Sequence, residues 1–453
     1  MKTRTLFSAV ATAVGLALSS SSLAAVSAEE AKRLKNELTP FGAERAGNKE
    51  GTIPAWTGDL VAVDGGYDPK RVTRADPFAN EKPLFEITAK NYKEYQDKLS
   101  NGVIALFEAY PDTFRIPVYK THRTFTAPER IINNTLKNAT SAELANSGNG
   151  FTGAVAGTPF PIPQNANEII WNHITRWQGI SAEGVNEAVM VQPSGQRKRE
   201  VSNYDVYFKY YDPNVTAEEL DNTLYFYLRE QITPVRDAGE LTLVKETVDQ
   251  VAEPRKAWIY LPGQRRVKKA PTTAYDTPSG FILTDEIDLY NGSPDRFDWQ
   301  IVGKQEMYIP YNNYALASKD LPDDVLLTPN HLNPDYTRWE LHRVWVIEGN
   351  LKEGTRHLYS KRRMYIDEDS WAGAIMEAYD SRGELWRVST AHLKMAYELP
   401  AMMSQPTVYH DLASTAYSVS NLENGKTGMR NILAEQKPLS FWRSANLRRL
   451  GKR

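Results

Sequence analysis

The sequence predicts an α+β protein: a large, curled antiparallel sheet preceded by a mostly helical and irregular N-terminal extension. From about residue 186, apolar and polar side chains alternate through roughly a dozen segments, with the period of a half-buried strand. The turns between them, such as PGQR, DEDS and DSRGE, are short, which favours antiparallel neighbours. Aromatic residues make up 11% of the chain, with 24 tyrosines, and this also favours strands. Because so many strands in one sheet tend to curl, we expect a concave apolar face.

The first 24 residues have the pattern of a cleavable signal peptide. Lys2 and Arg4 precede a short apolar run from Leu6 to Leu18, and small residues lead to a predicted cleavage after Ala24. The run is shorter than the ~20 apolar residues that span a bilayer, which disfavours a transmembrane helix. The sequence has no cysteine, so disulfides, thiolate metal sites and a cysteine-linked lipid anchor are excluded. An exported chain without disulfides predicts a Gram-negative periplasm as its location.

The N-terminal extension, residues 25–185, is expected to pack on the sheet. Ser27 and Glu30 predict a capping box that opens a helix in AEEAKRLKNEL. Three more helical segments are expected, within residues 88–110, 127–146 and 165–179. The sheet domain is predicted to occupy residues 186–453.

One strand, AWIYLP, is followed by the basic segment GQRRVKKAP. Trp258 and Tyr260 point to one face of this strand, and Ile259 and Leu261 point to the other. We expect the first pair to line the concave side, although ordinary core is the competing interpretation. The cations that follow fit either a rim that attracts an anionic group or a solvated edge strand that resists aggregation; they are Arg265, Arg266, Lys268 and Lys269.

The histidines and the G-x-G-x-x-G match indicate no catalytic or metal site. GNGFTG at residues 148–153 follows a helix end and cannot open a helix, so it does not predict a dinucleotide site. The seven histidines show no H-E-x-x-H spacing. His342 and His357 would be neighbours if their segments form a hairpin, but a structural role is favoured over metal binding.

An acidic segment, TDEIDLYNG, offers the remaining candidate for catalysis. Asp285, Glu286 and Asp288, with Tyr290 nearby, could serve glycoside chemistry if they flank a cleft. A loop that holds the edge of the sheet is the simpler interpretation. The protein is therefore predicted to be non-catalytic, without cofactor or metal, and its net charge of −2 disfavours nucleic acid as a partner.

Several segments resemble the outer-membrane lipoprotein-sorting superfamily, the LolA/LolB-like periplasmic carriers. They are WIYLPGQRRVKKAP, GFILTDEIDLYNG and KRRMYIDEDSW, with the last containing a turn from Asp367 to Trp371. The segments LTPFGAERAGNKEGTIPAWTG and GTPFPIPQNANEIIWNHITRW resemble a longer, functionally uncharacterised family of that superfamily. The resemblance implies an unclosed β-barrel wrapped over helices, with an apolar cavity for acyl chains or other lipophilic molecules.

The predicted function is therefore that of a periplasmic carrier for a lipid or another apolar small molecule, in envelope transport. The alternatives are an adaptor for an envelope transporter complex and a hydrolase of lipid or glycan. An inner-membrane transporter or an outer-membrane protein is the expected partner. Aromatic residues of the strands are the candidates to line the cavity: Phe208, Phe226, Trp258, Tyr260, Phe281, Trp339 and Trp345.

Overall fold

The structure, a computed structural model, describes residues 25–63, 74–270, 275–425 and 430–451. It confirms the predicted fold class, a large unclosed sheet with few helices. The predicted signal peptide lies outside the described residues. Across those residues, every helix falls short of the length and apolar character needed to cross a membrane.

The α-helices of the described residues are short and lie mainly before the sheet strands. They are α1 (Ala28–Ala31), α2 (Asn101–Ala109), α3 (Glu129–Asn138), α4 (Ala166–Ile174), α5 (Asp323–Leu326) and α6 (Ser444–Leu450). The hydroxyl of Ser27 accepts the backbone N–H of Glu30 at 3.1 Å, which confirms the predicted start of the first helix.

Nineteen strands are assigned in the described part of the chain. They are β1 (Phe85–Thr88), β2 (Arg115–Val118), β3 (Glu143–Ala145), β4 (Gly150–Thr152), β5 (Ser181–Val191), β6 (Arg197–Tyr207), β7 (Thr223–Thr233), β8 (Leu241–Thr247), β9 (Lys256–Leu261), β10 (Arg266–Lys269), β11 (Pro278–Ser279), β12 (Ile282–Leu283), β13 (Phe297–Pro310), β14 (Trp339–Leu351), β15 (Lys361–Asp367), β16 (Gly373–Tyr379), β17 (Leu385–Ala396), β18 (Ala401–Asp411) and β19 (Tyr417–Ser420).

Fifteen of these strands form one sheet. Neighbours follow the order β1-β2-β14-β15-β16-β17-β18-β19-β5-β6-β7-β8-β9-β10, and β13 pairs with β14 beside this path. The neighbours are antiparallel except for β2 and β14, which meet in parallel where Val118 faces Trp339. Because β1 and β2 belong to the N-terminal extension, the extension contributes to the sheet itself. The division predicted at residue 186 lies inside β5.

A compact loop, residues 284–291, shows how far this sheet curls; we call it the inner loop. The backbone N–H of Asn291 donates to the carbonyl oxygen of Asp285 at 2.9 Å, which closes the loop. Asp285 accepts from Arg362 of β15 at 2.8 Å, whereas Asn291 accepts from the Tyr225 hydroxyl of β7 at 3.2 Å. In a flat sheet, the seven steps from β15 to β7 would separate the strands by about 34 Å, beyond the reach of these side chains. The sheet therefore curls around the inner loop, which lies on its concave inner face.

Helix α2 covers the opposite, outer face of the sheet at β16 and β17. A Cβ atom on Gly102 would lie 2.6 Å from the side chain of Val388 and 3.3 Å from that of Glu377, so the helix backbone rests directly on β16 and β17. Glu377 also accepts the backbone N–H of Gly102 at 2.7 Å. With both faces covered, β16 and β18 are buried along their whole length.

Candidate functional site

Ion pairs fix the first half of the inner loop. The carboxylate of Asp285 accepts from Nε2 of His357 at 2.9 Å and from the guanidinium of Arg362 at 2.8 Å. Burial raises the pKa of Asp285, but the charge of Arg362 and the hydrogen bond from His357 outweigh it, so the pKa lies below its ordinary value. Asp285 therefore stays ionised and binds the loop to the sheet.

Two further carboxylates continue this attachment. Glu286 is fully buried and accepts from the hydroxyl of Tyr359 at 2.7 Å and from Arg387 of β17 at 2.9 Å. Asp288 pairs with Arg176, which follows α4, at 2.6 Å. The carboxylates considered for glycoside chemistry are therefore ion-paired with arginines. These ion pairs hold the loop in the space that the concave face encloses, which we call the hollow.

The inner loop is closely packed where it lies against the concave face, because Asp285, Glu286, Leu289 and Tyr290 are each at most 3% exposed. Two small cavities lie elsewhere among the described residues, one on the outer face and one beside Val26, with volumes of about 30 and 10 Å³. A single ordered water needs about 10–15 Å³ on this measure, so the larger cavity holds about two water molecules. Neither cavity is large enough for a guest with the length of an acyl chain.

The larger cavity lies between α2 and the outer face of β17 and β18, and histidines line it. His331, His392 and His410 surround it, with Leu106 and Trp339 among the apolar neighbours. Burial lowers the pKa of both His392 and His410 to about 3, so both imidazoles are neutral. Nδ1 of His392 and both ring nitrogens of His410 are buried without a hydrogen-bond partner in the described residues. Ordered water in the cavity is their simplest partner.

A second apolar region lies at the other end of the sheet, under the C-terminal helix α6. The aromatic groove, as we call it, is formed by Tyr207, Phe226, Trp258 and Tyr260 of strands β6, β7 and β9. It is covered by Trp442, in the turn before α6, and by Leu447 of α6, and we treat this turn and α6 as one covering segment. The Trp442 ring stacks on Phe226 at 5.8 Å and on Tyr207 at 6.3 Å.

Three of the predicted cavity-lining residues meet in this groove: Phe226, Trp258 and Tyr260. Tyr225 contacts the inner loop, whereas Phe226, the next residue of β7, points to the opposite face, which the register shares with Trp258 and Tyr260. The groove therefore lies on the outer face of the sheet, and the expectation that Trp258 and Tyr260 line the concave side is wrong.

Contacts between α6 and the sheet are apolar. In the described part of the chain, no ion pair or side-chain hydrogen bond joins residues 441–451 to the strands. Nε1 of Trp442 is buried without a partner, which weakens the attachment further. Helix α6 is thus held in a different way from the inner loop.

The other predicted aromatic residues are dispersed. Phe208 packs edge-on against Tyr225 at 5.6 Å in the main core. Trp339 lines the small histidine cavity on the outer face. Trp345 stacks on Trp371 at 6.4 Å, and Phe281 lies 5.3 Å from the guanidinium of Arg387. Their role in guest binding stays a prediction.

The four predicted rim cations lie at the end of the sheet. Arg265 is in the turn between β9 and β10, and the others are on β10, the last strand of the order; all four are exposed: Arg265, Arg266, Lys268 and Lys269. This position fits the solvated-edge alternative. A role in attracting an anionic group stays a prediction.

The turn between β15 and β16 forms a buried acidic cluster that the sequence did not single out as a site. Glu368 pairs with Arg343 at 3.0 Å, and both carboxylate oxygens of Asp369 accept from Arg123, at 2.7 and 2.9 Å. Burial and, next, the charge of Asp369 raise the pKa of Asp367 to about 7. His342 of β14 lies beside this turn, whereas His357 lies at the inner loop, so the two histidines belong to separate networks.

With this geometry, the chain falls in the class of α+β proteins whose antiparallel sheet curls without closing. It belongs to the family described as protein of unknown function DUF1329, which matches residues 86–448. The uncharacterized protein PA3922 of Pseudomonas aeruginosa is 44% identical to it over 411 residues, which cover 89% of each chain. The expectation that the chain belongs to a family of unknown function is confirmed.

Solved structures with a similar arrangement include two proteins with lipoprotein-sorting names. An outer membrane lipoprotein-sorting protein domain from Vibrio parahaemolyticus is 14% identical, with a TM-score of 0.42, covering 62% of this chain and 97% of its own. The LolA superfamily protein NE2245 from Nitrosomonas europaea is 13% identical, with a TM-score of 0.38, covering 62% and 98%. These are the neighbours that the sequence resemblance led us to expect.

Proposed function

We propose that the protein is a non-catalytic periplasmic binding protein for a lipid or another lipophilic molecule, and that the guest occupies the aromatic groove in place of α6. The observation that supports this proposal is the contrast between the two elements that fill apolar space. The inner loop is fixed by ion pairs, whereas α6 is held by apolar contacts that a lipophilic guest can replace.

Displacement of the inner loop is too costly to admit a guest. Breaking a buried ion pair costs about 3–5 kcal/mol, because it leaves an uncompensated charge in the interior. Asp285 and Glu286 each form such a pair with an arginine. Asp288, whose side chain is 25% exposed, adds a more solvated pair with Arg176. Their combined cost exceeds what an apolar guest would return.

Displacement of α6 is nearly balanced by guest binding. Trp442 and Leu447 are both buried, and exposing these two side chains costs about 6–9 kcal/mol at ~25 cal/mol per Å². A guest with about ten methylenes recovers about 8 kcal/mol at ~0.8 kcal/mol each. Because the two terms are of similar size, a guest would exchange with the helix reversibly. A carrier needs this property in order to load and to release its cargo to an envelope partner.

The experiment displaces α6 from the groove by introducing one charge into the buried contact. Leu447→Asp places a carboxylate in the buried contact with the groove, whereas Leu439→Asp makes the same change at a side chain that is 54% exposed on the same segment. We expect Leu447→Asp to raise the affinity for a fluorescent fatty-acid probe by at least about tenfold and Leu439→Asp to leave it unchanged. Equal affinity in all three proteins would contradict the proposed site. Failure of all three to bind probes of several chain lengths, together with no lipid extracted from the purified protein, would contradict the proposed function.

A further inference from the structure

A second candidate site lies where the acidic turn meets β14, and it shares no residue with the aromatic groove. His342 offers a ring nitrogen, and Asp367 and Asp369 each offer a carboxylate oxygen, with all three atoms within 4.8 Å of one another. All three residues are buried, with at most 2% exposure. The antiparallel register explains the meeting, because Val344 pairs with Asp367 and continuation of that register places His342 opposite Asp369.

One oxygen of this cluster has no partner. Oδ2 of Asp367 accepts from the backbone N–H of Ser370 at 3.0 Å and from the Ser370 hydroxyl at 2.5 Å, but Oδ1 is buried without a hydrogen bond. Asp369 is paired with Arg123 and Glu368 with Arg343, whereas Asp367 forms no ion pair in the described part of the chain. A buried carboxylate with neither a counter-charge nor a full set of hydrogen bonds is strongly destabilised. A bound cation would supply both.

The surroundings of His342 match those of a metal ligand. Nε2 of His342 lies 3.2 Å from Glu340, a carboxylate that also accepts from Arg338 at 2.5 Å and from Asn312 at 3.0 Å. Because this carboxylate accepts only, Nε2 must carry the proton, and Nδ1 keeps the lone pair that a metal requires. Metal-bound histidines typically donate their other ring N–H to a carboxylate in this way.

The tyrosine that packs on His342 adds a second unpartnered polar group. The ring of Tyr311 stacks on that of His342 at 3.9 Å and fixes its orientation. The hydroxyl of Tyr311 is buried; it approaches Thr124 but reaches hydrogen-bond geometry with no partner in the described residues. Two buried polar groups in the same cluster therefore lack partners.

We propose that His342, Asp367 and Asp369 bind a divalent first-row transition-metal ion, with Zn²⁺ as the reference ion. One imidazole and two carboxylates are ligands that zinc accepts, whereas Ca²⁺ and Mg²⁺ prefer oxygen ligands alone. The ligand atoms of a tetrahedral zinc site lie about 3.4 Å apart, so a small inward movement of the three side chains would bring them to zinc, and a water would take the fourth position. The ion would join the acidic turn to β14 and stabilise the fold; it takes no part in guest binding.

The test uses the untagged full-length protein, stripped with a chelator and then given Zn²⁺. We expect about one equivalent of zinc to remain after gel filtration and a rise in Tm of at least about 2 °C when the free zinc is ~100 times its Kd. Asp367→Asn keeps the shape and removes the charge, so it should abolish both effects. Glu286→Gln makes the same kind of change in the inner loop and should retain both.

Three results would overturn the proposal. The first is an equal rise in Tm for wild type and Asp367→Asn, which would mean that zinc binds elsewhere. The second is a wild type whose Tm does not respond to zinc, together with a metal-free Asp367→Asn protein whose Tm is higher than that of wild type. This result would mean that Asp367 is protonated and binds no metal. The third applies even if the variant does not fold: crystals of zinc-treated wild type with no anomalous peak between His342 and Asp367.

Discussion

Neutralising the central carboxylate of the inner loop should destabilise the protein markedly. Glu286→Gln preserves the shape of the side chain but leaves Arg387 without its full counter-charge and weakens the contact with the Tyr359 hydroxyl. Removal of one partner of a buried pair costs about 3–5 kcal/mol. Arg387 retains a second carboxylate, Asp411, at 3.6 Å, and its side chain is 11% exposed, so we expect a loss of about 2–4 kcal/mol in the free energy of unfolding.

Urea unfolding, followed by tryptophan fluorescence, measures this loss. Glu384→Gln is the matched control, because Glu384 pairs with Arg382 on the surface and its side chain is 67% exposed; its loss should be below about 0.5 kcal/mol. A loss in Glu286→Gln no larger than that of the control would refute the assignment of the ion pairs as the attachment of the loop. Probe affinity should stay at the wild-type value. A rise in Glu286→Gln like the one expected for Leu447→Asp would instead place the guest in the hollow of the inner loop.

Three further predictions concern other parts of the fold. Trp442→Ala should lower the free energy of unfolding by about 3–5 kcal/mol and at the same time raise probe affinity. A fall in affinity, measured by probe titration of the folded protein, would show that Trp442 does not block the groove. Gly102→Ala should cost about 1–3 kcal/mol in urea unfolding, because its Cβ would collide with Val388; a neutral result would mean that α2 can shift on the sheet. His410 has a folded pKa of about 3, below its ordinary ~6.5, so its contribution to stability is complete above pH 6.5 and is lost as the pH falls toward 3. When the pH falls from 7.5 to 5, the free energy of unfolding of His410→Gln, measured in urea, should therefore decrease by about 2 kcal/mol less than that of wild type. Equal decreases in the two proteins would show that His410 titrates normally.

Part of the sheet could be predicted because alternation reports one-sided burial, which β6, β8 and β13 show over part of their length. The cap at Ser27 and the helices α3 and α4 were also within reach of local patterns. The expected helix within residues 88–110 was too long, because Ser100 caps α2 and the residues before it form β1 and tight turns. Local rules find such segments but not their ends.

The positions of the inner loop and of the C-terminal helix could not be predicted. The acidic segment of the inner loop looks the same in sequence whether it lines a cleft or fills one, and only the arginines of distant strands decide between these. The C-terminal helix is seven residues long and has no extended apolar period, so its place over Trp258 and Tyr260 had no local signal.

The meeting of His342 with Asp369 was predictable in principle. If β14 and β15 formed a hairpin, His342 and His357 could have been neighbours. The two strands do pair, but their register pairs Val344 with Asp367 and so separates the two histidines. The connection between these strands is longer than a tight turn, so its length alone does not fix the register.

Hydrogen–deuterium exchange of α6, with and without a saturating fatty-acid probe, tests most directly the claim that a guest replaces this helix. If a guest replaces α6, the backbone amides of residues 444–451 lose protection when the probe binds, while those of β7 and β9 keep or gain it. Unchanged or increased protection of α6 in the probe complex would contradict displacement, because the guest would then bind with the helix in place.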